Sequence, residues 1–265
     1  MRMASVFGSE GRKEEYAQEF VGEQKVTTQT GIAGFDEALG QGLPVGNLYL
    51  VSGQLGSSAN LFVQQILYNN VISKQKVAYY TSTVPSQDII QDMKFSNMDI
   101  QKFVDDGTWV FGRAIPSDKV EIVNALPENP LEQKIDLGDT LANLMNHLNE
   151  TISDGRNTVI HLADLIRSYP MSEIQNTILY IESFARKYGG IHFVILTEDA
   201  HEKNDIMGIK DSADSVFEFT ANIREETIEN ILTIQKVRDM NPRKRIIRLS
   251  QRNNGLSTET IRRIS

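Results

Sequence analysis

The chain has no cysteine, which excludes disulfide bridges and thiolate metal centres and suits a reducing interior. No apolar run is long enough to span a membrane. The opening stretch, Met1 to Phe20, lacks the apolar centre of a signal peptide. A cytoplasmic location with no membrane partner is the expectation. Positive charge is in deficit: the net charge of −8 argues against nonspecific nucleic-acid binding, so nucleic acid is not an expected partner. The most informative absence is a tripeptide. No Gly-Lys-Ser/Thr occurs anywhere, although the sequence that normally surrounds one is present.

Leu48-Tyr49-Leu50-Val51 is a buried-strand pattern that runs into Ser52-Gly53, and an amphipathic stretch from Leu61 to Ile72 follows. Strand, glycine turn and helix form the context in which Gly-x-x-x-x-Gly-Lys-Ser/Thr cradles phosphates. The intervening residues are Gly53, Gln54, Leu55, Gly56, Ser57, Ser58, Ala59 and Asn60. Gly53 fits the first glycine, Ser58 stands at the second, Ala59 at the lysine and Asn60 at the Ser/Thr. The lysine would put a full positive charge on the β- and γ-phosphates, and the hydroxyl would hold the bridging magnesium. Ala59 supplies no charge; Asn60 offers only an amide oxygen. Ser58 adds a Cβ where positive φ can be required. The unpaired N–H groups of the helix start remain able to attract an anion. Weak ATP or ADP binding is therefore compatible with the loop, while no cofactor is required and magnesium is not expected.

At 265 residues, with 40% hydrophobic and 23% charged residues, the composition is that of an ordinary globular protein. Residues 1–26 are polar and aperiodic and read as an arm; residues 27–265 read as one core domain. Lys76–Thr81, Thr108–Phe111, Thr158–Leu162 and His192–Thr197 have strand composition. Helical patterns alternate with them: one opens at Pro85-Ser86, one uses Leu141, Leu144, Leu148 and Ile152, and one runs from Ser172 to Gly189. Residues 113–136, with Pro116, Pro127 and Pro130, read as an irregular surface excursion. Past Ser215, three strand-like runs follow with no helix between them. The expected fold is α/β: a mostly parallel central sheet flanked by helices, with a C-terminal antiparallel extension.

Basic residues from Lys236 through Arg238, Arg243, Lys244, Arg245, Arg248 and Arg252 to Arg263 face only Asp239 and Glu259. They read either as a solvated hairpin face or as an edge that meets an anion or a partner.

Thr30-Gly31-Ile32-Ala33-Gly34-Phe35-Asp36-Glu37-Ala38-Leu39, then Gly42-Leu43-Pro44-Val45-Gly46, resembles the entry segment of KaiC-like proteins of the RecA superfamily. The likeness extends through Leu67-Tyr68-Asn69, Pro85 to Ile90, Asp99 to Gly107 and Lys236-Val237-Arg238, and covers roughly residues 27 to 250. It implies an ATPase of the RecA-like P-loop fold with a single KaiC-type domain, whose subunits commonly assemble as a ring with nucleotide at the subunit interfaces. Active relatives place a metal-binding aspartate where His161 stands here. Asp164 is a candidate substitute, although strand alternation points it away from His161 unless the chain has already turned. His161 itself reads as a strand-end histidine with one hydrogen-bond partner rather than a metal ligand. The family's catalytic glutamate would follow Tyr80-Thr81, but no carboxylate occurs before Asp88. Lys236 and Arg238 match a Lys-x-Arg that in related rings reaches a neighbour's phosphates; they read equally as surface charges. Thr197-Glu198 reads as residual site lining or as a loop carboxylate.

The expectation is thus no catalytic residues, a degenerate nucleotide site and no metal. The chain is expected to act as a pseudo-ATPase, regulating or scaffolding in signal transduction through contacts with copies of itself or with an intact KaiC- or RecA-like relative. The alternatives are a signalling protein that binds nucleotide without efficient hydrolysis, and a recombinase-like nucleic-acid accessory.

Overall fold

The structure, a computed structural model, describes residues 26–82, 84–126, 128–224, 227–252 and 255–259. The polar arm expected over residues 1–26 lies outside these residues except for Val26, as do Arg262 and Arg263. Strands β1 (Thr27–Thr28) and β2 (Leu43–Pro44) form a small antiparallel ribbon. A ten-stranded sheet contains β3 (Asn47–Gly53), β4 (Lys76–Thr81), β5 (Trp109–Ile115), β6 (Glu132–Asp136), β7 (Arg156–His161) and β8 (Ile191–Thr197). It continues with β9 (Ser215–Arg224), β10 (Thr227–Lys236), β11 (Ile246–Arg252) and β12 (Gly255–Thr258). Their spatial order is β12-β11-β10-β9-β3-β8-β7-β4-β5-β6. Pairings from β9 across to β6 are parallel, and those from β9 out to β12 are antiparallel. The parallel sheet with an antiparallel extension is the expected fold.

Successive strand side chains point to opposite faces, and the core divides accordingly. On one face Tyr49, Val51, Tyr79, Phe193 and Phe217 meet Phe62, Val63, Ile66 and Leu67 of the helix Ala59–Ile72. On the other, Leu48, Leu50, Tyr80, Ile160 and Val194 meet the helices Ala142–Ser153 and Met171–Tyr188 through Leu144, Leu148, Ile174, Ile178 and Ile181. Strands covered on both sides have no polar face, which explains their unbroken apolar runs. The helix Ala59–Ile72 is sandwiched as well. Gln65 reaches β12 from it, accepting the Leu256 N–H at 2.6 Å and donating to the Leu256 carbonyl at 3.2 Å.

One expectation fails. Residues 113–136 are not irregular: β5 continues to Ile115, a 3-10 turn (Ser117–Lys119) and a helix (Val120–Ala125) follow, and β6 closes the sheet. The segment is punctuated by proline, and β6 reads Glu-Gln-Lys-Ile-Asp, an edge strand whose charges hide the apolar alternation. Arg113 and Glu132 form an ion pair across it at 3.6 Å, with side chains only 8% and 4% exposed. The helices Phe35–Leu39, Ala163–Ser168 and Lys203–Ser212 and the strand β12 were also unmarked by sequence pattern.

Candidate functional site: the loop after β3

The parallel register sets Gly53 beside Thr197, His161 beside Ile195 and Tyr80 beside Ile160. The carboxyl ends of β3, β8, β7 and β4 therefore share one edge, where open α/β sheets place ligands. At Gly53 a Cβ would lie 2.5 Å from Ser57 Oγ and 2.9 Å from the Ala59 Cβ, so only glycine fits that close approach. Gly56, with φ +80°, lets the chain double back into the helix that begins at Ala59.

The loop amides are largely spoken for. Gln54 N–H donates to the Phe219 carbonyl at 3.2 Å, and Gln54 Oε1 accepts the Ala221 N–H at 3.2 Å. Ser57 N–H donates to the Gln54 carbonyl at 3.0 Å. Ser58 N–H donates to Asn230 Oδ1 at 3.1 Å, and Leu55 N–H donates to the Asp199 carboxylate at 2.8 Å. The amides of Gly56, Ala59 and Asn60 have no partner among the described residues. The Ser58 hydroxyl is buried and also lacks one. Leu55 presents its side chain to solvent at the loop tip.

At the end of β7 the half-buried His161 ring lies on the same face as Tyr79, and its Nε2 shares a 2.9 Å hydrogen bond with the Tyr79 hydroxyl. Burial lowers its pKa from 6.5 to about 4, with the Asp164 charge pulling the other way. The imidazole is neutral at pH 7. Asp164 falls within the helix Ala163–Ser168, so the chain has turned by that point. Its buried carboxylate accepts the Ser82 hydroxyl at 2.5 Å, and the Ser82 carbonyl accepts from Arg113 Nε at 3.1 Å. Thr81 donates to the Val84 carbonyl at 2.6 Å. No group of three or more His, Asp or Glu side chains is placed to hold a metal ion among the described residues.

His192, on β8, is likewise lowered to about 4 by burial. Its ring bonds the Thr158 hydroxyl and the Gly189 carbonyl, each at 2.9 Å. An unfolded histidine titrates near 6.5, so between pH 6.5 and 4 the unfolded chain holds more protons and stability falls with falling pH. Going from pH 7 to 5, His192 is expected to cost on the order of 2 kcal/mol. Urea midpoints at the two pH values check this: in His192→Gln the pH-dependent loss shrinks by that amount, and an unchanged loss refutes it.

Lys236 and Arg238 lie elsewhere. Lys236 pairs with Val216 near the start of β9, which lies beside Leu50, about 10 Å back along β3 from Gly53. Its Nζ donates to the Asp211 carbonyl at 3.2 Å. Arg238 is built into the protomer: it donates to Asp214 at 2.9 Å, Asp239 at 3.1 Å and the Gly46 carbonyl at 2.7 Å. Within one chain, neither residue meets the loop. Thr197 does lie beside it, and Glu198 pairs with Lys210 at 2.5 Å, which in turn reaches Glu218 at 2.7 Å. Sequence reasoning missed Asp199 and Asn230. The only available signal was that Asp199 closely follows a strand ending at the ligand-facing edge.

The family described as "ATPase: KaiC" matches residues 28–259. The circadian clock oscillator protein KaiC of Synechococcus elongatus is 29% identical over 182 residues, 67% of this chain and 33% of its own length. The circadian clock protein KaiC3 of Synechocystis sp. is 27% identical over 181 residues, 63% of this chain and 35% of its own. The chain thus spans about a third of the length of the curated relatives it matches. A crystal structure of a KaiC-like protein from the archaeon Pyrococcus horikoshii OT3 superimposes with a TM-score of 0.69, covering 89% of this chain and all of that one at 17% identity, a likeness of fold.

Proposed function

Because the chain belongs to the KaiC family of ATPases, we propose that it is a member that has given up efficient ATP hydrolysis and acts by binding a copy of itself or an intact relative. One observation carries this reading: the family's loop is present as a backbone, yet Ala59 and Asn60 stand at its helix start and protein groups occupy its Leu55 and Ser58 amides. The donor set supports it. A magnesium–nucleotide group asks for oxygen ligands and a positive charge on the phosphates. Here the loop offers a methyl and an amide, and β7 ends in an imidazole bonded to Tyr79. Asp164, the nearby carboxylate, is engaged with Ser82. These residues do not fit the group. Lys236 and Arg238 are engaged within the chain and do not meet its own loop, so a contact with a neighbour's phosphates is part of the proposal alone.

The free amides of Gly56, Ala59 and Asn60 favour a second reading, nucleotide binding without turnover. A phosphate-release assay on purified protein separates both from an active enzyme. Wild type is expected to show only background release. Steady turnover abolished by Asp164→Asn would overturn the proposal and make Asp164 the relocated carboxylate.

A further inference from the structure

We propose that Asp199 is an internal competitor for the loop: its carboxylate occupies the Leu55 amide and shuts out phosphate, an autoinhibitory contact built into the turn after β8. This rests on reading the β3 loop as a phosphate cradle. The anion partner of a loop N–H is normally a ligand oxygen; here it is a carboxylate oxygen of the same chain, 2.8 Å away and 144 residues distant in sequence. A carboxylate supplies the same charge-assisted acceptor as a phosphate oxygen. Any phosphate approaching Leu55 must displace that acceptor, and it also meets a like charge, which disfavours it further.

The contact is anchored rather than incidental. Asp199 sits in the 3-10 turn Glu198–Ala200, directly after Thr197, which the sheet register fixes beside Gly53. The preceding Glu198 is clamped by Lys210, itself paired with Glu218 of β9. On the other side of the loop, Asn230 holds the Ser58 amide. The turn and the loop are thus each tied to the sheet, and Asp199 spans the gap between them. The unpartnered amides of Gly56, Ala59 and Asn60 leave a phosphate something to bind once the carboxylate is removed.

The shared ligand chemistry is a phosphate group, free or on a nucleoside diphosphate, and the two arms of the test distinguish these. Inorganic phosphate and ADP are titrated separately into 15N-labelled full-length wild type, Asp199→Ala and Asp199→Asn, following the Leu55 amide resonance. Glu202→Gln removes a nearby exposed carboxylate with no loop contact and serves as the control for general charge. The Leu55 amide is expected to shift upfield in Asp199→Ala before any ligand is added. Affinity for at least one ligand is expected to rise threefold or more in Asp199→Ala, with a smaller gain in Glu202→Gln. A gain for both ligands identifies the phosphate group itself, and a gain for ADP alone identifies the diphosphate nucleotide. An unmoved Leu55 amide, a rise below threefold for both ligands, or an equal gain in Glu202→Gln each overturns the proposal. ATP turnover by wild type would instead overturn the non-hydrolysing reading, and it is measured separately.

Discussion

Phe62→Ala is expected to destabilise the protein by about 3–5 kcal/mol, the usual cost of emptying a fully buried aromatic site. Phe62 has no solvent exposure and sits one turn into the helix that follows the loop. Its ring makes an edge contact with Phe35 at 5.1 Å and tilted or edge contacts with Phe219 at 5.1 Å and Phe217 at 6.0 Å. These rings come from the entry segment, the loop helix and β9, three elements that cannot close together over the void. Aromatic geometry adds about 0.5–1.5 kcal/mol per pair beyond buried area. Because the same rings pin the start of the helix, the loss extends to the loop. Urea unfolding checks the prediction: a fall of less than 1 kcal/mol would show that the cluster repacks.

Glu132→Ala is expected to cost a similar about 3–5 kcal/mol, for an electrostatic reason. The Arg113–Glu132 pair is enclosed at 3.6 Å, and removing the carboxylate takes a countercharge from a guanidinium that is largely shielded from water. Glu132 also accepts the Ser86 N–H at 2.6 Å and an Asn129 amide hydrogen at 2.8 Å, so the start of the helix Ser86–Phe95 loses an acceptor as well. Arg113 holds the Ser82 carbonyl, which connects this edge of the sheet to the carboxylate of Asp164. Replacing both members, as Arg113→Met with Glu132→Leu, is expected to recover most of the loss, because desolvating the pair cancels much of its attraction. If Glu132→Ala costs less than 1 kcal/mol in the same urea experiment, the pair is solvated and the argument fails.

Much of the candidate site was legible in sequence because its signals are local. Gly53 marks a close approach and Gly56 a positive φ, and both sit between a run of strand formers and a helix. The substitutions at Ala59, Asn60 and His161 can be read one residue at a time. The structure leaves these residues where the sequence put them, and it corrects the geometry of a fourth. Asp164, set aside by strand alternation, comes back to the site edge because the strand stops at His161 and a helical turn begins. Lys236 and Arg238 carry a recognisable motif, yet the motif does not say which end of the sheet it occupies. The antiparallel run of β10 decides that.

The sequence alone determined the α/β class, the order of most elements, the frame of the loop and the absence of its lysine, since strand alternation, glycine punctuation and side-chain charge are properties of neighbouring residues. Only the tertiary structure decided what fills the loop. Leu55 meets Asp199 and Ser58 meets Asn230 across separations of 144 and 172 residues, and hydrogen bonds over such distances exist only once the sheet has set its strand order and register.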